Sequence, residues 1–232
     1  MKKLAYYTCY FGGGSNYSRL IPPLPSIKYD CYYFTNDIDI YNQLKDTSWI
    51  AIYMNDIPIH NCEIKDTMES KKLRCCPHKF DVLNNYEYLC WFDSKLQVYE
   101  NKVIELVEKL SNDPDKIIVL SKHPYSNSFN SVWDELNLAI RTPKYNSQID
   151  QNIKYIEMQI NNGFSDKINI HFCGGWNIRK ICKKMEEFGE LWYKHIQECG
   201  IEDQISLQFI QQKYINSIIA VEYQETWKYF YE

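Results

Sequence analysis

Short apolar runs that end in polar residues, separated by stretches of helical periodicity, constrain this chain more than any other feature. Residues 4–11 are almost wholly apolar or aromatic and stop at Gly12-Gly13-Gly14-Ser15. Residues 29–35 stop at Asn36-Asp37, and 49–54 run into turn-forming residues. Runs of this length, bounded by turn chemistry, read as buried strands. Residues 86–98 read as one strand with a polar insert, Asp93-Ser94-Lys95, and 117–120 as another. Strands are also expected over 168–178, which carries Gly174-Gly175, and over 218–223. Helical patterns cover 65–80, interrupted by Pro77, then 103–110, 131–140, 153–160, 183–197 and 203–214. Strands alternating with helices imply an α/β fold with a mainly parallel central sheet flanked by helices. Ligands of such sheets lie beyond the carboxyl ends of the strands. The polar residues to follow are therefore those that close strands, namely 35–37, 93–95 and His123.

A chain of 232 residues with 45% hydrophobic residues can bury one large core, and a single domain over 1–232 is expected. The formal charge of −4 argues against a general nucleic-acid binder, which needs a basic surface, but leaves room for a local basic pocket that takes one diphosphate. Nine is an odd number of cysteines, and the chain is too long for a small disulfide-stapled fold. Cys9, Cys31, Cys90 and Cys173 lie inside apolar runs, where cysteine behaves as a small hydrophobe. A reducing, cytoplasmic setting is expected. The basic start is not followed by an adequate apolar segment, so neither a leader nor a membrane span is expected. Aromatic residues reach 16%. Their rings suit stacking on sugars and bases, yet the accompanying abundance of Lys, Asn and Ile also fits a biased codon supply.

Asp93 is the most informative position. It follows Leu89-Cys90-Trp91-Phe92, and a carboxylate beside a central strand is costly to bury unless it is paired or bound to a metal. If the strand continues, Asp93 and Lys95 share a face. One carboxylate with one ammonium suits a divalent ion and the phosphates it bridges, or the phosphates alone. The plainer reading makes Asp93 a turn cap and Lys95 a solvated side chain. Cys75-Cys76-Pro77-His78 lacks the spacing of a zinc site. Lys72, Arg74 and His78 then form a basic segment, for donor phosphates or for structure. Trp192 and Tyr193, at helical spacing from Phe188, read as core.

Four segments, in order, carry a resemblance. Trp91-Phe92-Asp93-Ser94-Lys95 resembles a W-I-D-S-K signature. Upstream stand Lys72-Leu73-Arg74 and Pro77-His78; downstream, Lys122-His123-Pro124 with Val132-Trp133-Asp134-Glu135. Glu202-Asp203-Gln204-Ile205-Ser206-Leu207 resembles an R-D-Q-L-S-F motif. Together they resemble a plant and microbial family of glycosyltransferase-like domains, whose plant members include turgor-regulation and mucilage-associated Golgi proteins. The resemblance implies a GT-A type fold, related to the Rossmann folds, and a glycosyltransferase that moves a sugar from a nucleotide-diphosphate sugar to an acceptor hydroxyl of a glycan or protein. Asp93 matches the first acid of the D-x-D metal motif, which would hold Mn²⁺ or Mg²⁺. Lys95 replaces the second acid, so the metal is in doubt and a lysine charge can serve the departing diphosphate instead.

The resemblance further implies roles. Asp203, at a helix start, becomes the base that deprotonates the acceptor, with Glu202 as the fallback; otherwise Asp203 simply caps the helix. Gly174, Gly175 and Trp176 resemble a segment that lines the sugar and acceptor pocket, to which His123 and Gln204 also belong. A plain kinked strand is the alternative for the glycines. The glycines at 12–14 lack a complete nucleotide fingerprint, yet they let a nucleoside approach Tyr7 and Thr8. Two rival functions stand beside the transferase. One is a catalytically inactive nucleotide-sugar or sugar-binding module of the same fold, prompted by the missing second acid. The other is a different α/β enzyme, such as a methyltransferase, prompted by the early glycines.

Overall fold

A computed structural model describes residues 3–12 and 19–230; Gly13 and Gly14 of the early glycine run lie outside the described residues. In chain order the elements are β1 (Leu4–Tyr10), β2 (Asp30–Thr35), α1 (Ile38–Leu44), β3 (Ile50–Tyr53) and α2 (Glu63–Cys75). Next come β4 (Tyr88–Phe92), β5 (Leu96–Val98), α3 (Glu100–Asn112), β6 (Ile118–Lys122), α4 (Val132–Ala139) and α5 (Pro143–Asn146). The rest is α6 (Ile149–Asn161), β7 (Phe172–Lys180), α7 (Lys183–Cys199), α8 (Asp203–Tyr214), β8 (Ile218–Val221) and β9 (Trp227–Tyr229).

Seven strands form one sheet in the order β3-β2-β1-β4-β7-β6-β8, and β5 pairs with β9 in a separate ribbon. All neighbours in the large sheet are parallel except those of β7, which runs against both β4 and β6. The expected mainly parallel sheet flanked by helices is therefore present. Alternation along the strands explains why both faces are covered. Leu4 and Tyr6 of β1 pack with Val103 and Leu106 of α3. Ala5 and Tyr7 turn to the opposite face and meet Leu73 of α2. On that face, further along the sheet, Ile118 and Leu120 pack against Phe188 and Trp192 of α7. Trp192 and Phe188 are core, as the periodicity implied.

Three expected elements differ. Residues 86–98 are not one strand: β4 ends at Phe92, and a turn over 93–95, closed by the Leu96 amide donating to the Asp93 carbonyl at 2.9 Å, sends β5 into the second sheet. The shared-face argument for Asp93 and Lys95 fails with it, because the alternation of a strand stops at the turn. The strand expected from 168 starts at Phe172. The helix expected over 65–80 ends at Cys75, and a short 3-10 turn over Pro77–Lys79 follows, since proline cannot donate to the helix ladder.

Between β6 and β7 the pairing jumps. Leu120 stands opposite Asn177, whereas Ser121 stands opposite Cys173. Residues 174–176 therefore bulge away from β6, while Trp176 keeps its pairing with Phe92 of β4. This bulge carries the Gly174-Gly175 pair to the carboxyl end of β4.

Candidate functional site

A cavity of about 1180 Å³ opens at the carboxyl ends of β1 and β4. Its floor includes Cys9, Tyr10 and Gly12 from β1 and its exit, and Trp91, Asp93 and Lys95 from β4 and its turn. One wall is α2, which presents Glu63, Asp66, Thr67, Ser70, Lys71 and Arg74. Those positions step by three and one, the spacing that keeps side chains on a single helical face. Thr142, Lys144 and Tyr145 close the opposite side. Arg19, Lys71, Arg74, Lys95 and Lys144 outnumber the lining carboxylates Glu63, Asp66 and Asp93, in a chain whose formal charge is −4.

Behind this wall stands a buried ion-pair cluster. Asp203 is 5% exposed and Arg74 only 2%. Lys71 Nζ reaches one oxygen of Asp203 at 2.7 Å, and the Arg74 guanidinium holds the other. Arg74 also donates to the Gly174 carbonyl at 3.1 Å and lies over the Trp192 ring at 4.7 Å. A Cβ on Gly174 would sit 2.5 Å from Asp203 Oδ2 and 3.0 Å from the guanidinium, so glycine is required for this close approach. At Gly175 a Cβ would lie 3.0 Å from Asp93 Oδ2, and the Asp93 amide donates to the Gly175 carbonyl at 2.8 Å. The glycine pair thus lets β7 pass between two carboxylates. Burial and then the Arg74 guanidinium pull the Lys71 ammonium down to about 7, against the attraction of Asp93 and Glu202.

A polar network adjoins the cluster. Glu202 caps α8 by accepting from the Gln204 amide at 3.2 Å. Gln204 Nε2 donates to Glu135 at 2.9 Å, and Glu135 Oε2 lies 2.7 Å from His171 Nε2. Burial pushes Glu135 up to about 7. Glu202 is also pushed up to about 7, first by burial and then by the Glu135 charge. Burial holds His171 and His123 down at about 4.

The residues singled out from sequence are partly brought together. Asp93, Lys95 and Arg74 line the cavity. Asp203, Gly174 and Gly175 lie directly behind its wall. Lys72 turns outward from α2. His78 meets Glu190 at 3.3 Å, away from the cavity. Tyr7 donates to the Arg74 carbonyl at 3.2 Å and, like Thr8, is wholly buried, so β1 reaches the cavity through its following residues. Trp176 is core. His123 sits at the end of β6 within an aromatic group, and Gln204 faces Glu135. Sequence reasoning passed over Lys71, Asp66 and Ser70, although the three-and-one spacing of polar residues along α2 was there to read. All nine cysteines are unpaired thiols, and Cys75 and Cys76 are buried in the core. No described helix is long and apolar enough to cross a membrane.

The mainly parallel seven-stranded sheet flanked by helices matches the fold of solved glycosyltransferases of GT-A type. Mouse xyloside xylosyltransferase 1 in its apo form superposes with a TM-score of 0.52 at 10% identity, over 93% of this chain and 84% of that one. The mannosyltransferase Ktr4p of S. cerevisiae gives 0.52 at 12% identity, over 99% and 70%. Core-mannan synthase A of Aspergillus fumigatus, in its Mn/GDP form, gives 0.50 at 9% identity, over 99% and 75%. No family model matches the sequence, and no curated protein matches it.

Proposed function

We propose that the chain is a glycosyltransferase that takes a nucleotide-diphosphate sugar as donor and a hydroxyl of a glycan or protein as acceptor. The observation that carries this reading is the cation-rich cavity at the carboxyl ends of β1 and β4 in an otherwise acidic chain. A sugar diphosphate brings the negative charge that Lys71, Lys95 and Lys144 can meet with charge-assisted hydrogen bonds. Trp91 lines the same cavity and adds an aromatic side chain beside the cations. The ordered segments that resemble motifs of glycosyltransferase-like domains agree with the same reading. A cytoplasmic setting goes with it.

In the transfer, the acceptor oxygen bonds to the anomeric carbon as the bond from that carbon to the diphosphate oxygen breaks. The nucleoside diphosphate leaves with the electron pair, and the cations stabilise the charge that develops on it. The acceptor proton passes to an oxygen of the departing diphosphate, because Glu202 is buried as the cap of α8 and does not line the cavity. Asp203 has both oxygens engaged by cations, which favours its charged form and weakens it as a base. We assign it the positioning of Lys71 and Arg74.

The GDP and manganese of the Aspergillus synthase suggest Mn²⁺ or Mg²⁺ here. The protein's own donors do not enclose one. Asp93 is a suitable hard oxygen donor, but Lys95 stands two residues on, and no three His, Cys, Asp or Glu side chains among the described residues converge on a common point. The cation role falls to the lysines.

The test is a thermal-shift series with UDP-, GDP-, dTDP- and CMP-sugars, each with Mn²⁺, Mg²⁺ or EDTA. A donor at about 100 times its dissociation constant stabilises by about 2.7 kcal/mol. The expected result is a shift with one nucleotide class that persists in EDTA, followed by transfer to a glycan acceptor. No shift with any donor from a folded sample overturns the reading. The engaged state of Asp203 favours one rival, an inactive binding module of the same fold, which predicts the shift without transfer.

A further inference from the structure

Along the same rim of the sheet, beyond the end of β6, the chain reads His123-Pro124-Tyr125-Ser126-Asn127-Ser128-Phe129-Asn130. Aromatic rings alternate there with hydroxyl and amide side chains, and no residue in the segment carries a carboxylate or an ammonium. The rings gather into one patch. His123 stacks on Phe129 at 5.8 Å with 18° between the planes, and Tyr125 lies 5.5 Å from His123 and 6.4 Å from Phe129. Tyr125 is 56% exposed, so the patch presents an open aromatic face.

The patch is held from behind. The His123 amide donates to the His171 carbonyl at 2.8 Å, and the Tyr125 amide donates to His123 Nδ1 at 3.1 Å. That bond fixes the proton of the neutral imidazole on Nε2, which leaves a donor on a ring that burial keeps uncharged at neutral pH. His171 packs beneath Phe129 at 4.9 Å and is anchored by Glu135 and Gln208. At the far end, Asp134 accepts from the Asn130 and Ser131 amides at 2.8 and 2.9 Å. Rings fixed in advance lose little freedom on binding.

The position matters as much as the composition. Gly174 stands three positions after His171, a span of at most about 11 Å. An extended chain of sugar rings can therefore lie on the patch with one end at the Gly174–Asp93 corner. A polyanion would find no cation in the segment itself, whereas a neutral carbohydrate finds apolar ring faces for its C–H groups and amides and hydroxyls for its O–H groups.

We propose that the 123–130 segment is a carbohydrate subsite, with Tyr125, Phe129 and His123 as the stacking platform for a neutral oligosaccharide acceptor. The assignment to an acceptor rests on the glycosyltransferase reading; the binding of carbohydrate does not.

The experiment titrates the full chain, and its Tyr125→Ala, Phe129→Ala and Tyr125→Phe variants, with xylotetraose, mannotetraose and cellotetraose by calorimetry. UDP and GDP titrations run in parallel. At least one tetrasaccharide is expected to bind. Each alanine variant should weaken it about tenfold, Tyr125→Phe should keep it, and nucleotide binding should stay within about twofold, as expected for the loss of one buried ring contact. Tyr125 is exposed, so its loss leaves the core intact if Phe129→Ala proves unstable. Failure of the wild type to bind any of the three sugars overturns the proposal, as does equal binding by the wild type and Tyr125→Ala. Loss of nucleotide instead of sugar binding would reassign the patch to a nucleobase. Sugar binding that persists while no nucleotide binds overturns the donor reading and leaves the subsite standing.

Discussion

The carboxyl ends of β4 and β6, two strands apart in the sheet, are built from opposite materials. At β4 and α2 the groups are ions, and they are buried and paired: Lys71 and Arg74 on Asp203, with Lys144 on Glu63 at 3.3 Å nearby. At β6 the groups are uncharged rings, and they are open. The difference teaches where each end is vulnerable. A buried ion cluster tolerates no missing partner, because the remaining charge stays desolvated. An exposed ring such as that of Tyr125 can be lost at little cost to the fold.

The largest expected effect breaks the comparison at its ionic end. Asp203→Ala strands two cations and should lower stability by about 3–5 kcal/mol in chemical denaturation. A loss under 1 kcal/mol would mean that the ions are hydrated and the contrast between the two ends is false. Gly174→Ala comes next, since its methyl group would collide with Asp203 and Arg74. Overpacking of this kind costs about 1–3 kcal/mol, and donor binding should fall with it. An unperturbed melting temperature would show that β7 can shift aside.

Lys71→Ala and Lys95→Ala sharpen the functional side. Each removes one charge-assisted contact and should weaken the bound nucleoside diphosphate by about tenfold, with the tetrasaccharides unaffected. Equal weakening of the sugar would merge the two ends into one site. The smallest effect is a pH dependence from the network that joins them. Glu135 and Glu202 have folded values near 7, above an ordinary carboxylate. Their protonated forms fit the buried site, so this contribution is fully present below the unfolded value and is lost as pH rises through about 7. The buried His171 and His123, held down at about 4, act in the opposite sense as pH rises, so the carboxyl contribution is read as a difference between proteins. From pH 5 to 7 the wild type should lose stability relative to Glu135→Gln in chemical denaturation, and an unchanging difference would show that Glu135 stays ionised throughout.

The sequence made the ionic end partly legible and left the other end almost silent. Asp93 stood out because a carboxylate after Leu89-Cys90-Trp91-Phe92 has few explanations, and it does line the cavity. Arg74 was picked out for its charge, but nothing local announces that its partner lies at Asp203 or that its carbonyl neighbour is Gly174. Such pairings follow from the reversal and bulge of β7, which depend on tertiary packing and leave no periodic trace. The strand alternation was visible because burial of both faces writes long apolar runs. The break at 93–95 was not, since Leu96-Gln97-Val98 continues the strand pattern and only its pairing with β9 shows that it belongs elsewhere. Lys71 was legible in principle, through its spacing along α2, and was missed because Lys72 beside it fits the family segment better.

The pairing of Arg74 and Lys71 with Asp203 also bears on how the molecule is made. The partners are 129 and 132 residues apart, and the Gly174 carbonyl is 100 residues from Arg74. Contacts this distant in sequence form late, after the loop between them has been closed. On the ribosome α2 emerges well before α8, so its two cations remain in water through most of synthesis, and the first strands wait with one face only partly covered. The α2 wall of the cavity is therefore completed late: a chain that stops before residue 203 lacks the carboxylate that pairs with both Lys71 and Arg74.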